Sequence, residues 1–281
     1  MGKKPRLRFD EIGYWSEIKL DIVKKYAAAY SRILAAQQSP RLYHVYVDAF
    51  AGAGVHISKV TGDFVLGSPL NALNIRPSFR EFHYVDIDPS KVAHLRQLVG
   101  DRPDVHIHPG DCNSILLEEV FPQIKWQDYR RGLCLLDPYG LTLNWNVIQT
   151  AGKMESIEIF LNFPVADMNR NVFWRNPEGV APADIERMTS FWGDESWRKV
   201  AYTVERGLFG PLEQKTENWV IAQAFRDRLH KVAGFEHVPD PIPMRNTKNA
   251  IVYYLFFASQ KPVAQGIVED IFNKHRNRGG Q

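Results

Sequence analysis

Five short apolar segments, separated by stretches of helical character, lie between residues 42 and 164. The apolar segments are rich in β-branched and aromatic residues, as in LYHVYVDAF and FHYVDI. The predicted strands are residues 42–50, 82–87, 104–111, 132–140 and 156–164. Strands that alternate with helices predict βαβ units, a mostly parallel sheet and helices on both of its faces.

Further helices, an irregular insertion and a strand pair flank this alternating region. Apolar residues four apart over residues 14–37 predict a long N-terminal helix. Residues 165–212, rich in Asn, Arg, Pro and Trp, are interpreted as a helical insertion, and FEHVPDPIPMRN and AIVYYLFFASQ predict a final antiparallel strand pair. We therefore expect residues 1–41 to form a helical extension packed on the core, and residues 42–281 to form one domain that carries the insertion.

The composition narrows the class of protein and its compartment. Hydrophobic residues make up 44% of the 281 residues and charged residues 24%, which are ordinary values for a globular protein. The apolar runs are too short to span a bilayer, and the first residues lack the apolar core of a signal peptide, so we expect a soluble cytoplasmic protein with no membrane partner. Cys112 and Cys134 are too few for a structural zinc site, and we expect no metal. The formal net charge of +3 is compatible with a nucleic-acid partner.

Four of the predicted strands end in acidic residues. Asp48 closes the first strand, Asp86 and Asp88 follow the second, and Asp111 and Asp137 follow the third and fourth. Ligands of open α/β sheets bind outside the carboxyl ends of the strands, near the point where the strand order reverses. A single acid there would be an ordinary turn residue, but acids after four strands at one edge predict a binding site.

The loop after the first strand, in YVDAFAGAG, predicts close approach of a ligand to the backbone. Gly52 and Gly54 allow positive φ and leave the backbone open, although a purely structural turn explains them equally well. No third glycine follows, the next helix is delayed, and no GxxxxGK[ST] pattern is present, so the loop favours a ligand without phosphates.

The acids after the second and third strands have two interpretations each. Asp86 can accept hydrogen bonds from two ribose hydroxyls, while Asp88, ahead of Pro89, suits the N-cap of the next helix. We place both residues in the same ligand site. Asp111 can accept a hydrogen bond from an adenine amino group while the amide of Cys112 donates to a ring nitrogen, but a helix N-cap is almost as good an explanation of Asp111.

A glycine turn, a ribose acid and an adenine acid in this order resemble the cofactor site of class I S-adenosylmethionine-dependent methyltransferases. The resemblance covers residues 42–164 and implies a Rossmann-like fold with a mostly parallel seven-stranded sheet that ends in an antiparallel strand pair. It also implies that S-adenosyl-L-methionine is the cofactor, with Asp48, Phe50, Gly52 and Gly54 around its methionine part.

The stretch LLDPYGL resembles the catalytic motif of methyltransferases that act on exocyclic amines. Asp137 would accept a hydrogen bond from the amine, the Pro138 carbonyl would accept another, and Tyr139 would stack on the base. The common motif has two prolines before the aromatic residue, and DPYG is closer to the DPFG motif of tRNA guanine N2-dimethyltransferases. A β-turn is the alternative explanation of these residues.

Most of the chain resembles a narrower family, the three-Cys-motif partner proteins. The shared motifs are YVDAFAGAG, LGSPLNAL, HYVDID, GDCN, LLDPYGL, LNFP followed by DMNRN, and FWGDESW, in this order. The family name refers to cysteines in a companion protein, so the resemblance implies a possible partner of that kind.

The polar segment NFPVADMNRN follows the fifth strand and should overhang the same edge as Asp137. Its candidate substrate-binding residues, which suit base edges or phosphate, are Asn162, Pro164, Asn169, Arg170 and Asn171. A loop that satisfies its own hydrogen bonds is the equal alternative. The sequence thus predicts methyl transfer to an exocyclic amine of a nucleic-acid base, with RNA favoured, and a non-catalytic or companion-dependent partner protein is the alternative.

Overall fold

A computed structural model describes residues 9–207 and 210–276, without the side chains of residues 204–207 and 210–213. Residues 1–8 of the expected N-terminal extension, residues 208–209 of the expected insertion and residues 277–281 lie outside the described residues.

The described strands are short, with two to eight residues each. In chain order they are β1 (Glu11–Ile12), β2 (Tyr43–Asp48), β3 (Val55–Ser58), β4 (Phe64–Leu66), β5 (Glu81–Asp86), β6 (Val105–Pro109), β7 (Arg130–Leu136), β8 (Ile157–Phe163), β9 (Tyr202–Gly207), β10 (Gly210–Lys215), β11 (Ile242–Arg245) and β12 (Ile251–Ala258).

The α-helices range from a single turn to 23 residues. They are α1 (Tyr14–Ala36), α2 (Ser68–Leu73), α3 (Pro89–Val99), α4 (Cys112–Ile115), α5 (Trp145–Met154), α6 (Val165–Asn171), α7 (Pro182–Trp192), α8 (Trp197–Ala201), α9 (Asn218–Lys231) and α10 (Pro262–Arg276). A π-helical turn at Leu116–Val120 and a 3₁₀ turn at Phe121–Gln123 continue α4, and further 3₁₀ turns lie at Trp126–Asp128 and Pro177–Gly179. Every helix among the described residues is too short or too polar to cross a bilayer.

The central sheet has seven strands in the order β11-β12-β8-β7-β2-β5-β6. The five strands from β8 to β6 run parallel, whereas β12 is antiparallel to both β8 and β11. After β6 the chain crosses back to place β7 on the other side of β2, so the strand order reverses between β2 and β7. The predicted mostly parallel seven-stranded sheet with a final antiparallel pair is confirmed.

Side chains alternate between two layers of helices. Val45 and Val47 of β2 point into the core that includes α5 and α9, while Tyr46 points into the core that includes α1 and α10. This alternation follows from the period of two in a strand, and it leaves β2 buried on both faces. The predicted helix at residues 14–37 is α1, whose Ile18, Ile22, Tyr26 and Tyr30 are all buried.

Three features differ from the sequence predictions. A small sheet of order β1-β3-β4 forms from the N-terminal segment and the residues after the glycine loop, where no strands were predicted. The antiparallel pair of β9 and β10 lies at the end of the expected helical insertion. The third is helix α10 after the last strand. Its buried residues Ala264, Val268, Ile271 and Phe272 have helical spacing, so the signal was present in the sequence. The strands β1, β3 and β4 are too short to show a clear alternation of apolar and polar residues.

Candidate functional site

The carboxyl ends of β2, β5 and β7 lie side by side at one edge of the sheet. Asp48 of β2 pairs in register with Tyr84 of β5 and with Leu135 of β7. Asp86 ends β5 two residues beyond Tyr84, and Asp137 follows the last residue of β7. The parallel register therefore brings three of the predicted site acids to the point where the strand order reverses.

Gly52 and Asp86 form the centre of this edge. The Gly52 amide donates to Asp86 Oδ2 at 2.8 Å, and the Asp88 amide donates to Asp86 Oδ1 at 2.8 Å. Gly52 has φ +64°, and a Cβ added there would have no heavy atom within 4 Å. The loop thus leaves open space above a backbone held by a carboxylate, as a ligand that approaches the backbone requires.

Gly54 has a different role in the same loop. Its φ is +83°, and a Cβ there would lie 2.8 Å from Leu95 Cδ1 of α3. A Cβ on Gly67, just before α2, would lie 2.9 Å from the Gly54 carbonyl oxygen. Gly54 is therefore needed for close packing of the loop between α2 and α3. For this glycine the structural turn, one of the two explanations of the glycine pair, accounts for the need for so small a residue.

Asp48 is fully buried, with one carboxylate oxygen unpaired. The Phe50 amide donates to its Oδ1 at 3.3 Å, while no donor meets hydrogen-bond geometry at Oδ2. Burial raises the pKa of Asp48 to about 7, although the nearby Ser68 side chain acts to lower it. A buried acceptor without a partner is uncommon and costly in proteins, which favours a ligand that donates to it.

Asp88 and Asp111 are helix N-caps in the structure. Asp88 Oδ1 accepts from the amide and the hydroxyl of Ser90 at the start of α3, and Asp111 Oδ2 accepts from the Ser114 amide at 3.2 Å at the start of α4. Both N-cap interpretations are thus met, although Asp111 remains exposed to solvent. Cys112 is buried, and burial raises the pKa of its thiol to about 12.

Asp137 is held by two side chains from other elements. Lys19 of α1 forms an ion pair with its Oδ2, and Asn162 Nδ2 of β8 donates to its Oδ1 at 2.9 Å. Burial lowers the pKa of Lys19, but the attraction of Asp137 outweighs this, and the pKa lies above its usual value. Asn162 Oδ1 is buried and has no partner, so a second unpaired acceptor lies beside Asp137.

The aromatic ring of the DPYG motif lies open at the surface. Pro138 is buried, whereas Tyr139 is 64% exposed. The Tyr139 hydroxyl donates to Asp10 Oδ2 at 3.1 Å, and Lys91 Nζ, paired with Asp10 at 2.7 Å, lies 5.2 Å from the ring centroid. The N-terminal segment thus fixes the ring while leaving much of it accessible.

Of the predicted substrate-binding segment, Asn162 contacts Asp137, whereas the residues from Val165 onward form helix α6. Pro164 is the N-cap of α6, and among the polar candidates the structure brings Asn162 to Asp137. Asn169 Nδ2 donates to Asn218 Oδ1 at 3.1 Å and Asn171 Nδ2 to Asp167 Oδ1 at 2.9 Å, while Arg170 is exposed. Asn171 therefore makes a hydrogen bond within its own segment, whereas Asn169 is held by Lys215 and Asn218, which are distant in sequence.

Three residues near the site were not predicted. Lys19 lies in the apolar stripe of α1, and a lysine in that stripe is a signal that sequence reading could have used. His56 of β3 has a buried Nδ1 without a partner, and burial followed by the charge of Lys19 lowers its pKa. Asp167 Oδ2 is also buried and unpaired, and it would lie 2.8 Å from a Cβ placed on Gly140.

The site is thus rich in hydrogen-bond acceptors that have no donor. Asp48 Oδ2, Asn162 Oδ1 and Asp167 Oδ2 belong to the ends of β2 and β8 and to the first turn of α6. Such a set favours a ligand with several N–H or O–H donors. Among the described side chains, no group of three or more His, Cys, Asp or Glu residues is placed to hold a metal ion.

Comparison with known proteins finds solved structures of similar fold but no similar sequence. Neither a family model nor a curated protein sequence matches the chain. A protein of Legionella pneumophila is 12% identical with a TM-score of 0.49, covering 92% of this chain and 91% of that one. The N-methyltransferase NodS from Bradyrhizobium japonicum, in complex with S-adenosyl-L-homocysteine, is 9% identical with a TM-score of 0.39, covering 89% of each chain.

The methyltransferase domain of a bacterial Hen1 is 11% identical with a TM-score of 0.39, covering 85% of this chain and 100% of that one. At such identities and TM-scores, the assignment of the fold rests on the sheet order and on the single reversed strand β12. The fold is that of the class I methyltransferases.

We predict that the buried Asp48 makes stability fall as the pH rises. With a pKa of about 7 in the folded state and about 3.9 when unfolded, the folded state binds more protons between these values, so the free energy of unfolding decreases with increasing pH. From pH 5 to pH 8, the wild type should lose on the order of 2 kcal/mol more than Asp48→Asn, since one pKa unit is worth about 1.4 kcal/mol. Urea unfolding at both pH values measures this.

Glu158 has a pKa raised in the same direction, and it is present in both proteins, so the comparison isolates Asp48. The control is Asp101→Asn, which changes an exposed acid. Equal pH dependence in the wild type and Asp48→Asn would show that Asp48 does not retain its proton in the folded protein.

Proposed function

We propose that the protein is an S-adenosyl-L-methionine-dependent methyltransferase that acts on an exocyclic amine of a nucleic-acid base, with RNA as the favoured polymer and the cytoplasm as its compartment. The observation that carries this proposal is the set of unpaired acceptors beside Asp137, next to the open space above Gly52. The methionine ammonium, the ribose hydroxyls and the target amine would all supply donors at this edge.

The residues around the glycine loop fit the cofactor. Asp48 Oδ2 would accept from the ammonium group of the methionine part, with the backbone of Phe50, Gly52 and Gly54 around it. Asp86 would accept from the ribose hydroxyls, because each of its oxygens has one partner in the structure and room for a second. Bound there, the cofactor supplies an activated methyl group.

The adenine would lie between the loops that follow β5 and β6. Asp111 is exposed and can accept a hydrogen bond from its amino group, with the Cys112 amide beside it. Ile87, placed between the ribose acid and the N-cap Asp88, is 74% exposed and offers an apolar surface to a flat ring. An exposed isoleucine at this position is otherwise unexplained by packing.

Asp137 and Asn162 would orient the target amine. Asn162 Oδ1 and the free lone pairs of Asp137 can accept its two N–H groups, with the Pro138 carbonyl as a further acceptor, which turns the nitrogen lone pair toward the methyl group. Lys19 pairs with one oxygen of Asp137 and so fixes the orientation of its carboxylate. The exposed ring of Tyr139 would stack on the base.

The surface beyond Asp137 suits a polyanion only in part. Arg170 is exposed on α6 and can reach phosphate, whereas Asn169 and Asn171 would have to exchange their present hydrogen bonds to contact a base. Pro164 would border the substrate as the first residue of this turn. Recognition of the polymer would therefore depend more on Arg170 than on the asparagines.

One observation favours the second candidate function, a protein whose activity depends on a companion. Both oxygens of Asp137 already have a partner, Lys19 or Asn162, so an incoming amine must share or displace them. The resemblance to the three-Cys-motif partner proteins suggests a companion bearing that motif, which could reposition α1 on binding. In this form of the proposal the cofactor site is retained and methyl transfer needs the second protein.

We predict that Gly52→Ala weakens cofactor binding while the protein stays folded. The new methyl group would occupy the open space above the loop, and overpacking of this kind costs about 1–3 kcal/mol. Calorimetric titration with S-adenosyl-L-homocysteine should show binding weakened about thirtyfold. The matched control is Gly62→Ala, because Gly62 also has positive φ (+78°) and nothing within 4 Å of an added Cβ. Equal affinities in the two variants would contradict this site.

We also predict that Asp137→Asn separates methyl transfer from cofactor binding. The variant should lose about 100-fold in transfer, a typical contribution of a group that positions or accepts a proton, while its affinity for S-adenosyl-L-homocysteine stays close to that of the wild type. The assay is transfer of a tritiated methyl group to total RNA from cells that lack this protein, with and without the companion. Equal loss of binding and transfer would refute this division of roles, and a wild type inactive in both assays would favour a non-catalytic protein.

A further inference from the structure

A cavity lies at the opposite edge of the sheet from the candidate cofactor site. Its walls include Arg131 near the amino end of β7, Ser156 just before β8, and Glu158 near the amino end of β8. Helices α1 and α10 cover it on one side. Its volume is about 260 Å³, room for roughly nine groups the size of a water molecule.

The inside of this cavity is apolar. The contributing side chains from α1, α10 and the chain before β2 are Ile33, Leu34, Leu42, Ala264 and Ile267. Three large apolar residues at the same cavity, Ile33, Trp126 and Val263, are exposed to solvent, and Val263 is 60% exposed. Exposed apolar residues that surround a cavity are a mark of a binding surface rather than of random packing.

A buried hydroxyl in the cavity wall has no hydrogen-bond partner. Tyr30 is 6% exposed, and its OH is buried and unpaired. The Tyr26 hydroxyl beside it donates to Glu158, and Ser259 Oγ donates to the same carboxyl at 2.9 Å. Buried hydroxyls are nearly always paired, so the unpaired Tyr30 hydroxyl is a donor without an acceptor next to the cavity.

Two cationic side chains lie next to the exposed ring of Trp126. The guanidinium of Arg131 lies 3.4 Å from the centroid of the Trp126 ring, and Lys261 Nζ lies 4.8 Å from it. Two acids line the same cavity, the exposed Glu155 and Glu158 on the inner wall. Burial raises the pKa of Glu158 to about 7. Below that pH its carboxyl is protonated and neutral, so Arg131 and Lys261 make this part of the cavity positively charged.

We propose that this cavity binds a small amphipathic monoanion, a carboxylate on an apolar body of roughly eight or nine heavy atoms. The apolar body occupies the space between α1 and α10, with the carboxylate at Arg131 and Lys261. Tyr30 donates a hydrogen bond to an oxygen of the ligand or to a water that accompanies it. This site takes a ligand of a different class from the proposed cofactor and lies apart from it.

The test compares three probes of equal chain length at pH 6, octanoate, octan-1-ol and octylammonium, by calorimetric titration. Octanoate should bind about fivefold more tightly than octylammonium, since an ion pair at a partly exposed position is worth up to about 1 kcal/mol. In Arg131→Gln/Lys261→Gln this preference should disappear while the affinity for octanol is unchanged. The matched control is Lys59→Gln/Arg96→Gln, which removes two exposed cations that do not line the cavity.

A second variant tests the cavity itself. Ile267→Trp fills the space from its partly exposed side, where a larger side chain disturbs the fold least, and should abolish binding of all three probes. Binding of the probes to Ile267→Trp as to the wild type would overturn the proposal, because it would show non-specific association. Absence of binding to the wild type, or equal affinity for octanoate and octylammonium, would overturn it as well.

Discussion

The parallel pairing of β2 with both β5 and β7 determines where every other part of the candidate site lies. This register places the end of β2 beside the ends of its two neighbours, so Asp48, Asp86 and Asp137 meet although 89 positions separate the first from the last. Because β2 is buried on both faces by alternating side chains, a shift by one residue would reverse its two cores and is strongly disfavoured. The same constraint turns Gly52 toward Asp86 and leaves the space above it open.

Helix α1 contributes to both edges of this sheet. Its first turns carry Lys19 to Asp137, and its later turns carry Tyr26 and Tyr30 to the cavity at the amino ends of the strands. Eleven residues of helix separate Lys19 from Tyr30, a length of about 17 Å at 1.5 Å per residue. The two proposed sites therefore share one rigid element, and the charge that holds Asp137 comes from a helix outside the βαβ core.

The sheet and most of its helices could be predicted because their signals are local. Apolar runs, N-caps and helical periodicity are read from neighbouring residues, and the topology then follows from the few connections that parallel strands allow. The ion pair of Lys19 and Asp137 could not be predicted, because it depends on how α1 crosses the sheet. The segment at 162–171 was read as one polar surface, but only the position of Asn162 follows from the strand, while Asn169 and Asn171 turn away on α6.

The central claim is that the edge formed by β2, β5 and β7 holds the cofactor. A crystal structure of the protein grown with saturating S-adenosyl-L-homocysteine tests it most directly. The account predicts electron density above Gly52, with the ribose against Asp86 and the amino group against Asp48. Density at any other position, or a structure of the folded protein without ligand at this edge, would contradict it.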